Sequence, residues 1–245
     1  MGTSRIALGD TFSTLLHRIR REARTVVGPW PAAARRFRTG EFPTEATELC
    51  IEAFPRSGNT FTVIAFLQSQ PELVSVAHHV HAAGAVIEAV RLGIPTLVLI
   101  RPPEGSVLSY VTRWPELTPA HGLRGYVRFY EPLLLHRHGF VVARFEEVTE
   151  DPGIAIRRVN DRFGTSFEPF VPTEVSLRTV RDEMGRWDRN TEREEGRPIQ
   201  LARGLPTAEK EARKAALRER YLDPSLGGLR ARAESVHATF TDHLT

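Results

Sequence analysis

Apolar positions along this chain switch repeatedly between two periods. Short unbroken apolar runs alternate with stretches in which apolar residues recur every three or four positions, the marks of buried strands and of helices lying on them. The runs predict strands over 47–54, 74–79, 96–100 and 140–145, and the helical stretches fall at 62–70, 82–92, 103–113, 121–138 and 152–163. Asp151-Pro152 reads as a capped helix start, with Val159 and Phe163 giving that helix its inward face. Alternation of this kind predicts an α/β fold, a three-layer sandwich with a mostly parallel central sheet.

The flanks are less regular. Residues 1–45 form a basic lead-in, with Phe12, Leu15, Leu16 and Ile19 at helical spacing inside 11–27, and residues 46–245 form the domain proper. The lead-in helix is expected to pack on its own domain or on a partner subunit rather than lie on a membrane, since its apolar face is narrow. Homodimerisation is left open. Residues 165–206 are charged, proline-containing and weakly periodic, which predicts a long loop region that orders over a bound cofactor or substrate. Two helices close the chain, one over 207–221 and one opened by Asp223-Pro224 and running through Leu229, Val236 and Phe240.

Composition narrows the function classes. The chain has 245 residues, 41% hydrophobic and 26% charged, enough for one sizeable α/β domain. Its 33 basic and 30 acidic residues leave a net charge of only +3, so a field suited to wholesale nucleic-acid binding is not implied. The lone cysteine, Cys50, sits inside an apolar run and reads as a small buried residue. No apolar run approaches the ~18 residues of a membrane span, and charges from Arg5 to Arg24 interrupt any secretory core. The expectation is a cytoplasmic protein.

Chemistry concentrates after the first strand. Phe54-Pro55-Arg56-Ser57-Gly58-Asn59-Thr60-Phe61 joins a strand to a helix start. Such a turn converges backbone N–H groups and the helix dipole on one anion, against the plainer reading of an ordinary strand-to-helix turn. No GxxxxGK[ST] is present, and lysine occurs only at Lys210 and Lys214, which disfavours a γ-phosphate and magnesium site. The third strand ends in Arg101, and after Pro102-Pro103 the hydroxyl of Ser109 falls about two turns into the next helix. An arginine and a hydroxyl at a strand's carboxyl end can grip a second phosphate. The second strand ends in His78-His79-Val80-His81. A metal site there is disfavoured because no carboxylate or cysteine accompanies the histidines at ligand spacing.

Pro55-Arg56-Ser57-Gly58-Asn59-Thr60-Phe61, together with Arg101 and Ser109, resembles the two cofactor motifs of the sulfotransferases that use 3'-phosphoadenosine 5'-phosphosulfate. The segment 141–152, a strand followed by Glu146, Glu147 and Asp151-Pro152, is similar to a third segment of that family. The resemblance spans about 49–163. It implies a transferase that moves a sulfuryl group to a hydroxyl, or an amine, of a small molecule, lipid or sugar, leaving adenosine 3',5'-bisphosphate, with no metal required. By the same resemblance His81 takes the place of the catalytic histidine and is the expected base, with His79, in the place of a lysine, as the second candidate for that role. Arg56 would hold the departing phosphate with Ser57, Gly58, Asn59 and Thr60, while Arg101 and Ser109 would bind the 3'-phosphate. Phe61 and Phe145 match positions set against the adenine, where simple core packing is the alternative. The family's late basic loop has no clean counterpart, and Arg193, Arg197, Arg203 and Lys210 are the candidates. A small-molecule phosphotransferase with a degenerate phosphate loop and a non-catalytic nucleotide-binding protein are the alternatives.

Overall fold

Four apolar runs pair as parallel strands in the computed structural model, which describes residues 30–36, 40–195 and 208–242. They are β1 (Leu49–Ala53), β2 (Val76–His78), β3 (Thr96–Ile100) and β4 (Val141–Arg144), in the order β2-β1-β3-β4. Register follows from burial. Ile51 pairs with Leu97 and Ala53 with Leu99 on one sheet face, while Cys50 and Glu52 turn to the other with Thr96 and Val98.

Helices cover both faces. On the first lie α2 (Asn59–Ser69) and α7 (Pro152–Phe163), whose Val63, Phe66, Ala155, Ile156 and Val159 pack with Leu49, Ile51, Leu97 and Leu99. On the second lie α3 (Ala83–Arg91), α4 (Pro103–Arg113) and α5 (Pro119–Tyr130), closed by the carboxy-terminal α10 (Gly227–Thr241). The architecture is therefore α/β, with helical layers on either side of an all-parallel sheet. A short helix, α1 (Pro31–Arg36), sets Ala34 against Val80, Ala82 and Ala85. The expected helix at 11–27 lies outside the described residues. The adjacent strands β1 and β3 send their following helices, α2 and α4, to opposite faces. A crevice opens where such strands part, beyond their carboxyl ends.

Several sequence expectations are corrected. The expected helix at 121–138 breaks after Tyr130 into a 3-10 segment, Glu131–Gly139, because Pro132 has no N–H to continue the α-helical ladder. Phe145, expected at a strand end, instead opens α6 (Phe145–Glu150). The largest correction is α8 (Glu174–Glu195), a 22-residue helix inside the supposed loop region. Leu177, Val180, Met184 and Trp187 recur at three- and four-residue intervals and pack on Phe61, Ile64 and Ala65 of α2. The Asp151 cap forms as expected, its side chain accepting from the Gly153 N–H at 2.9 Å. Last comes α9 (Ala208–Tyr221), which packs on α4 and is tied to it by Arg218 Nε donating to Glu104 at 2.8 Å.

Candidate functional site

The turn between β1 and α2 runs Phe54-Pro55-Arg56-Ser57-Gly58. Arg56 (φ 70°) and Gly58 (φ 94°) are both left-handed, which reverses the chain within one residue of the helix start. A side chain at Gly58 would also meet Phe145 and Val148 at 3.3 Å. No side chain caps α2, and its first turn holds no acid. Its leading N–H groups therefore face the crevice as donors. Both polar atoms of the Asn59 amide, a residue only 4% exposed, lack a hydrogen-bond partner. The buried Ser57 hydroxyl lies beside the Tyr130 phenol, whose own proton goes to the Leu99 carbonyl at 2.7 Å. Buried polar atoms left unmatched in a native fold call for an external partner.

The two arginines of the sequence motifs meet at this corner. Arg101 Nη1 donates to the Arg56 carbonyl at 3.1 Å, and Arg56 Nε donates to Ser109 Oγ at 3.2 Å. The Arg101 guanidinium lies 4.0 Å above the Phe145 ring, and its carbonyl is fixed by Tyr126 Oη at 2.9 Å. Gly105 makes room for it, as a Cβ there would approach Arg101 Nε to 2.9 Å. Burial lowers the Arg101 pKa, which the charges of Glu146 and Glu211 oppose. Glu211 places the start of α9 within the field of Arg101. Its neighbour Lys210 is buried. Arg197 and Arg203 lie outside the described residues, as does the side chain of Arg193.

The histidines gather at the end of β2, linked to the same corner. Thr60 Oγ1 and His79 Nε2 are 2.9 Å apart, and His79 Nδ1 lies 3.0 Å from His78 Nδ1. The ring centroids of His79 and His81 are 5.5 Å apart. Burial, and then the charges of His81 and His78, hold His79 well below the ordinary histidine pKa. Burial lowers His78 as well. His81 Nδ1 is 2.8 Å from the Ala53 carbonyl. A carbonyl can only accept, so Nδ1 carries the proton, and the lone pair of the neutral ring sits on Nε2. His79 (φ 59°) and His81 (φ 55°) are left-handed, each at a cost of roughly 1–2 kcal/mol. Among the described residues no three His, Cys, Asp or Glu side chains are grouped to hold a metal ion.

Two residues of this site escape sequence reasoning. Glu52, fully buried in β1, accepts from the N–H groups of Val80 at 2.6 Å and His81 at 3.1 Å. Its signal is an acid in the middle of an apolar run. Trp187 of α8 lies over His79, ring centroids 5.0 Å apart and 33° from parallel. Its signal is the apolar stripe of α8. Phe61 is half-buried and packs in the cluster of Ile64, Phe170, Val180 and Met184.

No protein-family model matches the chain, and no curated protein matches it in sequence. Among solved structures, mouse sulfotransferase SULT7A1 complexed with PAP superposes with a TM-score of 0.43 at 12% identity, covering 78% of this chain and 90% of that one. At that level the likeness carries no functional weight. No helix among the described residues is long and apolar enough to cross a membrane.

Proposed function

We propose that the protein is a sulfotransferase that uses 3'-phosphoadenosine 5'-phosphosulfate and delivers the sulfuryl group to a hydroxyl or amine of a small molecule, lipid or sugar. The observation that carries this reading is the joined pair of cations, Arg101 donating to the Arg56 carbonyl and Arg56 to Ser109, at the uncapped start of α2. Two separately esterified phosphates on one ribose need two such sets of donors within one crevice. The unmatched Nδ2 donor of the Asn59 amide supports the fit, because a bound anion would accept from it.

When bound, the nucleotide supplies an activated sulfuryl group. Arg56, Ser57, Gly58, Asn59 and Thr60 would hold its 5'-phosphate and steady the negative charge that grows there during transfer. Arg101 and Ser109 would bind the 3'-phosphate, with Lys210 as the described candidate for a third donor. His81 takes the proton of the acceptor on Nε2, the nitrogen left basic by the Nδ1 bond to Ala53. His79 has Thr60 at one ring nitrogen and His78 at the other, so it serves to tie the histidines to the phosphate loop. Trp187, over His79, forms one wall on the acceptor side.

Thermal unfolding tests the nucleotide assignment. Adenosine 3',5'-bisphosphate should raise the melting temperature in a concentration-dependent way, while ATP with magnesium should do much less. The reverse order would make the protein a phosphotransferase. His81→Ala should retain nucleotide binding and lose transfer, and unchanged transfer would remove His81 from the chemistry.

A further inference from the structure

Glu52 is buried among donors. Its Oε1 accepts from Val80 N at 2.6 Å, and its Oε2 accepts from His81 N at 3.1 Å and Ala53 N at 3.3 Å. The Nδ1 of His81 lies 3.9 Å from the same Oε2. The residue is inaccessible to solvent, so it touches no acceptor, and a plain strand packs better with an aliphatic side chain in that position. An acid retained there has work in the segment it holds. That segment runs from His79 to His81, both left-handed, and carries the His81 ring.

We propose that Glu52 is a positioning residue of the transfer site: its carboxyl group pins the Val80–His81 backbone and, once ionised, favours the positive charge that His81 gains on accepting a proton. The proposal rests on His81 being the base. The proton leaves the acceptor hydroxyl and arrives on His81 Nε2, Nδ1–H stays on the Ala53 carbonyl, and Glu52 exchanges no proton with either. Its influence on the ring is electrostatic, exerted across 3.9 Å from a fully buried carboxyl group.

Burial pushes Glu52 up to about 8, opposed by the N–H bonds from Val80, His81 and Ala53. The other titratable groups that face it are the Tyr130 phenol from the end of α5, the Cys50 thiol on its own strand, and His81 with His79 and His78 behind it. Burial raises both Tyr130 and Cys50, so neither gains charge as Glu52 ionises. The charge near His81 therefore changes as pH passes about 8, through Glu52.

Nitrogen-15 histidine NMR on the whole protein reads this directly, with His81 assigned by the resonances lost in His81→Gln. The wild-type ring should show the Nδ1–H tautomer and an inflection near pH 8. In Glu52→Gln the inflection should vanish, and His81 should bind its proton at least about tenfold more weakly than in the wild type with Glu52 ionised, with Glu52→Asp restoring part of that affinity. A wild-type ring in the Nε2–H tautomer, or the same His81 titration in both folded proteins, overturns the proposal. The wild-type spectrum alone decides if Glu52→Gln does not fold. Adenosine 3',5'-bisphosphate is titrated into the wild type in parallel: absence of binding there sinks the nucleotide reading and leaves the Glu52–His81 coupling to be judged on its own curve.

Discussion

The loops that follow β1 and β2 meet across the head of the sheet, joined by the contact of Thr60 with His79, yet they are built in opposite ways. The first turns its donors outward. The Asn59 amide and the uncapped start of α2 find little of the fold's own chemistry to pair with, and on the proposed reading they receive an anion. The second is satisfied from within, its N–H groups bonded to the buried carboxyl of Glu52, His79 to His78 and His81 to the Ala53 carbonyl. A site that must grip charge and also move a proton benefits from that division. On the proposed reading the gripping half gains from the uncapped helix start, and the proton-moving half needs a fixed ring.

The comparison breaks most sharply through pH. Folded Glu52 titrates at about 8 against an ordinary 4.5, so across that interval the folded chain keeps a proton that the unfolded chain has released. Its contribution is greatest below the lower value and falls as pH rises through the upper one, by up to roughly 4–5 kcal/mol at ~1.4 kcal/mol per unit. Urea unfolding from pH 5 to 8.5 should show that decline, and Glu52→Gln should flatten it. An equal decline in both proteins would mean that the carboxyl is not held as described.

The gripping half is tested next. Arg56→Ala and Arg101→Ala should each weaken adenosine 3',5'-bisphosphate by about 10- to 100-fold, the ~1.5–3 kcal/mol of a charged hydrogen bond. Because Arg101 bonds the Arg56 carbonyl, the double variant should lose less than the sum of the single losses. Strict additivity in calorimetric titrations would argue that the two cations serve separate ligands.

The smallest effect separates binding from stability. Gly105→Ala places a Cβ 2.9 Å from Arg101 Nε inside α4. Helix propensity should raise stability by up to ~1 kcal/mol, while the displaced guanidinium should weaken the nucleotide by a few-fold. A variant that gains in both respects would remove Arg101 from the ligand.

The gripping half was also the more legible one. Thr96 to Ile100 is an unbroken apolar run, so β3 and the position of Arg101 at its end follow from the chain alone. The turn from Phe54 to Gly58 carries its own small and polar residues. Glu52 was opaque because its reasons lie 28 and 29 residues away, at Val80 and His81. The helix α8 was hidden by its charges, which mask the stripe of Leu177, Val180, Met184 and Trp187, a pattern that acquires meaning only against Ile64 and Ala65. Local chemistry is written locally, whereas long-range satisfaction of buried groups is not.

Tyr130 bears on the shape of the crevice. Its phenolic oxygen accepts from the Phe54 N–H at 3.3 Å and donates to the Leu99 carbonyl at 2.7 Å, spanning β1 and β3 at the point where they part. With the strand pairing that runs up to Ala53 and Leu99, that bridge holds the floor at a fixed width. An occupant too broad for it finds no give below, so any accommodation between guests of different size has to come from the walls, on the side where Trp187 and α8 stand.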